Sequence, residues 1–114
     1  MSSVVQKLMN SAVANVDVLR SLDSHGDDFS KFRDVDFLFY CPNEEKAELV
    51  AAFINDHQYG VATASHKNGE STLQVVINMP IQQHIILSVS GFMTCLAELY
   101  GLDFDGWGCC VVQA

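Results

Sequence analysis

Basic residues are scarce in this chain. Six Lys plus Arg stand against fourteen Asp plus Glu over 114 residues, a formal net charge of −8 and a pI near 4.6. That shortage argues against direct RNA or DNA binding, because phosphate backbones are held by Lys and Arg with release of counterions. A basic partner would be steered toward such a surface, although the charge taken alone needs no more explanation than solubility. Nothing reaches the length of a transmembrane span, and the first residues lack the basic start and apolar run of a secretory leader. The expectation is a cytoplasmic protein with no membrane contact. The four cysteines, Cys41, Cys95, Cys109 and Cys110, show neither CxxC spacing nor the density of a disulfide scaffold, and are expected to be reduced, mostly buried thiols. No glycine-rich phosphate loop, HxxxH, HExxH or Cys/His zinc spacing is present, so neither a metal nor a cofactor is expected.

What is present reads as one α+β domain spanning 1–114, long enough to bury about 65% of its unfolded surface. Val5, Leu8, Met9, Ala12, Val16 and Leu19 recur at three and four residues, predicting an amphipathic helix within 1–25 whose polar side carries Lys7, Asn15 and Asp17. From Asp34 to Cys41 the period becomes two. Val35, Phe37 and Phe39 share one face of a predicted strand that Pro42 ends. Asn43 is a natural N-cap, with Glu44 and Glu45 in the first turn, for a helix buried through Ala47, Val50, Ala51 and Ile54. Two strand-like runs then flank Asn68-Gly69, the strongest short hairpin signal. Leu73, Val75, Ile77 and Met79 share a face of the second run, and Pro80 closes it. Ile85, Val89, Phe92, Leu96 and Leu99 predict a third helix over about 82–100, with Gly91 allowing a close approach and Gly101 ending it. The tail predicts a last strand with a bulge or turn at Asp105-Gly106. Without its first helix, the order over 34–113 is β-α-β-β-α-β, a ferredoxin-like sandwich with a four-stranded antiparallel sheet. The extra leading helix is expected to cover part of the sheet face that carries Leu38 and Tyr40.

The residues that invite a chemical reading are few. Asp27 and Asp28 lie between a helix and a strand, and paired acids suit acid–base work or a hard cation. Yet the run lacks the alternating oxygens of a calcium loop, and Lys31 and Arg33 can neutralise it locally, so it reads as a solvated, self-compensating loop. The four histidines are scattered at element ends. Trp107, the only tryptophan, stands in "FDGWG". It reads as an aromatic pinned by a turn, or as a recognition anchor of the kind enriched at interfaces.

"GDDFSKFRDVDFLFY", followed by a helix, a hairpin, a long helix and "YGLDFDGWG", resembles the bacterial regulator of ribonuclease E activity B family over nearly the whole chain. Asp27-Asp28 with Lys31, Arg33 and Val35-Asp36, and Asp105-Gly106-Trp107, carry the likeness. The resemblance implies a ferredoxin-like, non-catalytic protein inhibitor that binds the basic, non-catalytic C-terminal scaffold of ribonuclease E and so alters mRNA decay. Partner-binding candidates are then Asp27, Asp28, Asp36, Asp105 and Trp107. Two other readings stay open. One is an enzyme or small-ligand binder built on the Asp27/Asp28 loop with Asp105 and Trp107. The other is a homodimer formed through the sheet face around Leu38 and Tyr40.

Overall fold

Alternation of aromatic and branched residues with acids makes β1 (Arg33–Cys41) an inward–outward ribbon. Val35, Phe37 and Phe39 are fully buried, while Asp34, Asp36 and Tyr40 are exposed. Each such buried side chain contributes about 1.5–3 kcal/mol relative to exposure. The structure, a computed structural model, describes residues 2–113. Around β1 it places α1 (Ser2–Ser24), α2 (Glu44–Asp56), β2 (Val61–Lys67), β3 (Glu70–Met79), α3 (Gln83–Tyr100) and β4 (Asp103–Cys109). The four strands form one sheet in the order β2-β3-β1-β4, with every neighbouring pair antiparallel.

The local signals act as chemistry requires. Asn43 caps α2, its side chain accepting from the Lys46 N–H, and Ala47, Val50, Ala51 and Ile54 are all buried. Asn68 and Gly69 take φ of 54° and 77°, the two left-handed residues of a tight hairpin turn. β4 shifts register opposite Leu38, where Asp105 and Gly106 bulge out and Gly106 takes φ 98°. Gly60 is required for a different reason: a Cβ there would stand 2.8 Å from Ile77 Cγ1 and 3.0 Å from Val75 Cγ1.

Three expectations need correction. First, α1 does not cover the Leu38/Tyr40 face. It packs on α3, and its Asn15 meets Trp107, which is the register partner of Phe37 and so lies on the Phe37 side of the sheet. Second, the apolar stripes of α1 and α3 are only partly buried: Leu19 and Leu96 lie in the core and Ile85, Val89 and Phe92 pack against it, but other positions depart. Val5 and Met9 are more than half exposed and Leu99 is 80% exposed, whereas Asn15, Ser90 and Thr94 are buried. The cause is the α1–α3 crossing, where Leu8 lies over Gly91 and small polar side chains pair: Asn15 Nδ2 donates to Ser11 Oγ, and Ser11 and Ser90 share a hydroxyl bond. Third, none of the cysteines is fully buried. Cys41, Cys95 and Cys109 are half-buried and Cys110 is exposed, all as free thiols; Cys41 ends β1 and Cys109 ends β4, at the rim of the core. Burial still pushes the Cys41 and Cys109 thiols up.

Candidate functional site

The acidic loop is not the fully solvated run that its sequence suggests, because it closes on a buried ion pair. The side chain of Asp27 is 0% exposed and that of Arg33 is 4% exposed. Arg33 donates through both terminal nitrogens to the two oxygens of Asp27, at 2.7 and 3.0 Å, a bidentate fork. Its remaining donors reach the carbonyls of Lys31, Asp28 and Cys110. Asp27 also accepts from the Val112 N–H at 3.1 Å. Burial alone would raise the Asp27 carboxyl, but these hydrogen bonds outweigh it and hold the group below the usual carboxylate range. Arg33 is raised by the same bond.

The clamp extends along the chain after β4. The Asp28 N–H donates to Val112 O at 2.7 Å, Lys31 Nζ reaches Gln113 O, Gln113 Nε2 reaches His25 O, and Asp27 pairs with Gln113 in an isolated bridge. Residues 110–113 are thus tied to the loop between α1 and β1. Asp28 turns outward and folds over Ser30, accepting from its N–H and its hydroxyl, and these bonds lower its pKa.

The other candidates lie elsewhere. Trp107 is half-buried and its indole N–H donates to Asn15, so it anchors α1 to the edge of the sheet. Asp36 stands on the open sheet face, where Gln74 Nε2 donates to it at 3.2 Å. Asp105 is exposed in the β4 bulge. It lines a cleft of about 370 Å³ between α1, α3 and β4, with Asn15, Thr94, Glu98 and Asp103, across whose mouth Lys7 is hydrogen-bonded to Glu98. Neither Asp27, Asp28 nor Trp107 lines it. The loop acids, Asp105 and Trp107 therefore do not converge on one pocket. Among the described residues, no three His, Cys, Asp or Glu side chains converge as metal ligands would. Two residues matter more than sequence reasoning allowed. Sequence makes Arg33 a local counter-charge and part of the family likeness, but not the buried partner of Asp27. Periodicity puts Asn15 on the polar side of a helix, and no sequence signal marks it, because its partner lies 92 residues away.

With this geometry in view, the comparison with known families is specific. The family model described as Regulator of ribonuclease activity B matches residues 12–109. The chain belongs to the RraB family. The match runs from the middle of α1 to the end of β4, and takes in the Asp27–Arg33 clamp, the open face of β1 and the bulge with Trp107. No curated protein matches the chain. The family is described as regulators of ribonuclease activity. In this chain the most buried charged pair, Asp27 and Arg33, is spent on each other and on backbone groups. Among the described residues, no helix is long and apolar enough to cross a membrane.

Proposed function

We propose that this RraB protein is a non-enzymatic cytoplasmic regulator that binds the basic, non-catalytic scaffold region of ribonuclease E and thereby modulates mRNA decay. Family membership over 12–109 is the observation that carries the reading. The net charge of −8 supports it, since an arginine-rich, largely unfolded segment is attracted to such a surface while RNA is repelled. The scaffold is ferredoxin-like in this reading, supported by the β2-β3-β1-β4 order and the helices gathered on one side of the sheet.

Of the proposed contact residues, Asp28, Asp36 and Asp105 offer carboxylates to a partner. Asp27 and Trp107 contribute by holding the loop and α1 in place. The test is equilibrium binding of the chain to full-length ribonuclease E and to a version lacking its basic scaffold region. Binding to the first alone, weakening as salt rises, is expected. Equal binding to both, or to neither, would refute the assignment.

A further inference from the structure

The sheet has one uncovered side. Side chains at 34, 36, 38 and 40 on β1 point away from the buried Val35, Phe37 and Phe39. The same alternation puts Gln74 and Asn78 of β3 on this side, and Asp103, the register partner of Tyr40, at its β4 edge, where it also borders the α1–α3 cleft. Asp34, Asp36 and Asp103 are exposed, and none has a cationic partner on this face. Among the described residues, the ion pairs are Lys7–Glu98, Arg20–Asp17 and Arg33–Asp27. Lys7, on the helix side beyond this edge, is hydrogen-bonded to Glu98. Amides hold the β1 acids upright instead: Asn78 Nδ2 donates to Asp34 at 3.0 Å and Gln74 Nε2 to Asp36 at 3.2 Å. Among the described residues, the one cation of the face, Lys67, lies on β2 at the hairpin end opposite Glu70. Between the acids lie apolar surfaces, half-buried Leu38 and exposed Tyr40.

Resting on the cationic-partner reading above, we propose that this open face is the docking surface. Its occupant is an extended, arginine-rich polypeptide lying along β1 and β4. Guanidinium groups meet Asp34, Asp36 and Asp103, with their stems against Leu38 and the Tyr40 ring. Alternate residues of an extended chain repeat about every 7 Å, the same spacing that separates Asp34 from Asp36 along β1, so successive arginines of such a segment stay in step with the acids. Other occupants fit poorly. A second copy of this chain stacked face to face would bring the same carboxylates against each other. An RNA strand would find aromatic surface but, apart from Lys67, no cation to hold its phosphates.

The test titrates a synthetic peptide of alternating arginine and serine into the isotopically labelled chain, followed by amide chemical shifts, with light scattering on the free protein. Shifts are expected on β1, β4 and β3 while α2 stays unmoved. Asp34→Asn/Asp36→Asn/Asp103→Asn is expected to weaken binding about tenfold, the sum of three exposed ion pairs. Asp17→Asn/Glu45→Gln/Glu48→Gln, which removes the same charge from the helix side, is expected to leave affinity unchanged. Equal losses in the two triple variants would overturn the assignment of the face while leaving the cationic-partner reading intact. No binding of the wild type at any salt concentration would overturn both. A free protein that scatters as a dimer, and becomes monomeric only in the open-face variant, would overturn the choice of occupant. Thermal melts of both variants verify that these surface isosteres fold.

Discussion

Replacing Asp27 by Asn separates a structural from a docking role for the acidic loop. The change keeps the shape but removes the charge, leaving the Arg33 guanidinium, 4% exposed, without its counter-ion. The Asn also turns one carboxylate oxygen into an N–H₂ donor facing either an Arg33 nitrogen or the Val112 N–H, both of which are donors. Breaking a buried pair from one side costs about 3–5 kcal/mol. We take the lower end, about 3 kcal/mol, because Arg33 keeps its bonds to the carbonyls of Lys31, Asp28 and Cys110. Urea denaturation at neutral pH reads this directly as a loss of midpoint at unchanged slope. Asp28→Asn is the control: its carboxylate touches only Ser30, and the midpoint is expected to stay near wild type. The pH dependence has a definite sign. The folded Asp27 carboxyl lies below its unfolded value of about 3.9, so its contribution is full above that value and lost as pH falls through the folded pKa. The difference between wild type and Asp27→Asn is therefore expected to be constant from neutral pH down to the carboxylate range and to shrink below it. An Asp27→Asn variant as stable as Asp28→Asn, or a gap independent of pH down to strong acid, would refute the clamp.

Trp107→Phe removes the indole donor and leaves the Asn15 oxygen buried; a cost of about 1–2 kcal/mol is expected in thermal melts, with loosened α1 contacts reported by amide exchange and no change in affinity for a basic peptide. Asn55→Ala uncovers an edge: Asn55 now accepts from the Ala62 N–H at 2.8 Å and donates to its carbonyl at 2.9 Å, occupying backbone groups of β2, so the variant is expected to lose about 1 kcal/mol and to aggregate sooner on heating, as seen by light scattering. Two glycines should respond oppositely to alanine. Gly60→Ala drives a Cβ to 2.8 Å from Ile77 Cγ1 and is expected to destabilise by about 1–3 kcal/mol, whereas Gly91→Ala meets Leu8 at an ordinary 3.7 Å and gains up to about 1 kcal/mol of helix propensity, both measured by urea midpoints.

Elements governed by neighbours in the chain were legible in the sequence. The period of two in β1, the Asn43 cap, the Asn68-Gly69 turn and the Asp105-Gly106 bulge each depend on the chemistry of a few adjacent residues, and all occur where that chemistry puts them. Legibility ended where burial depends on distant polar partners. Periodicity treats Asn15, Ser90 and Thr94 as outward-facing, yet they fill the α1–α3 crossing, since a hydroxyl or amide is easily buried once its partner is supplied. The exposure of Val5 and Met9 on α1 follows from the same contacts. The loop failed in the opposite direction. A run of acids and bases looks solvated in sequence, but spacing alone could not show that Asp27 and Arg33, six residues apart, fold back as a fork closed over by residues 110–113.

The two kinds of carboxylate on this chain carry the functional argument. Asp27 has its charge answered from every direction by a guanidinium and a backbone N–H, so its field hardly extends into solvent. Asp34 and Asp36 are bonded only to neutral amides, which fix their direction without cancelling their charge. An uncancelled, oriented charge on a rigid sheet loses little side-chain freedom when a guanidinium arrives, and so keeps more of the attraction as affinity than a floppy surface acid would. If exposure alone mattered, the helix-side acids Glu45 and Glu48 would serve a cationic partner equally well. Orientation by Gln74 and Asn78 favours the acids of the open face, and the comparison of the two triple variants decides between them.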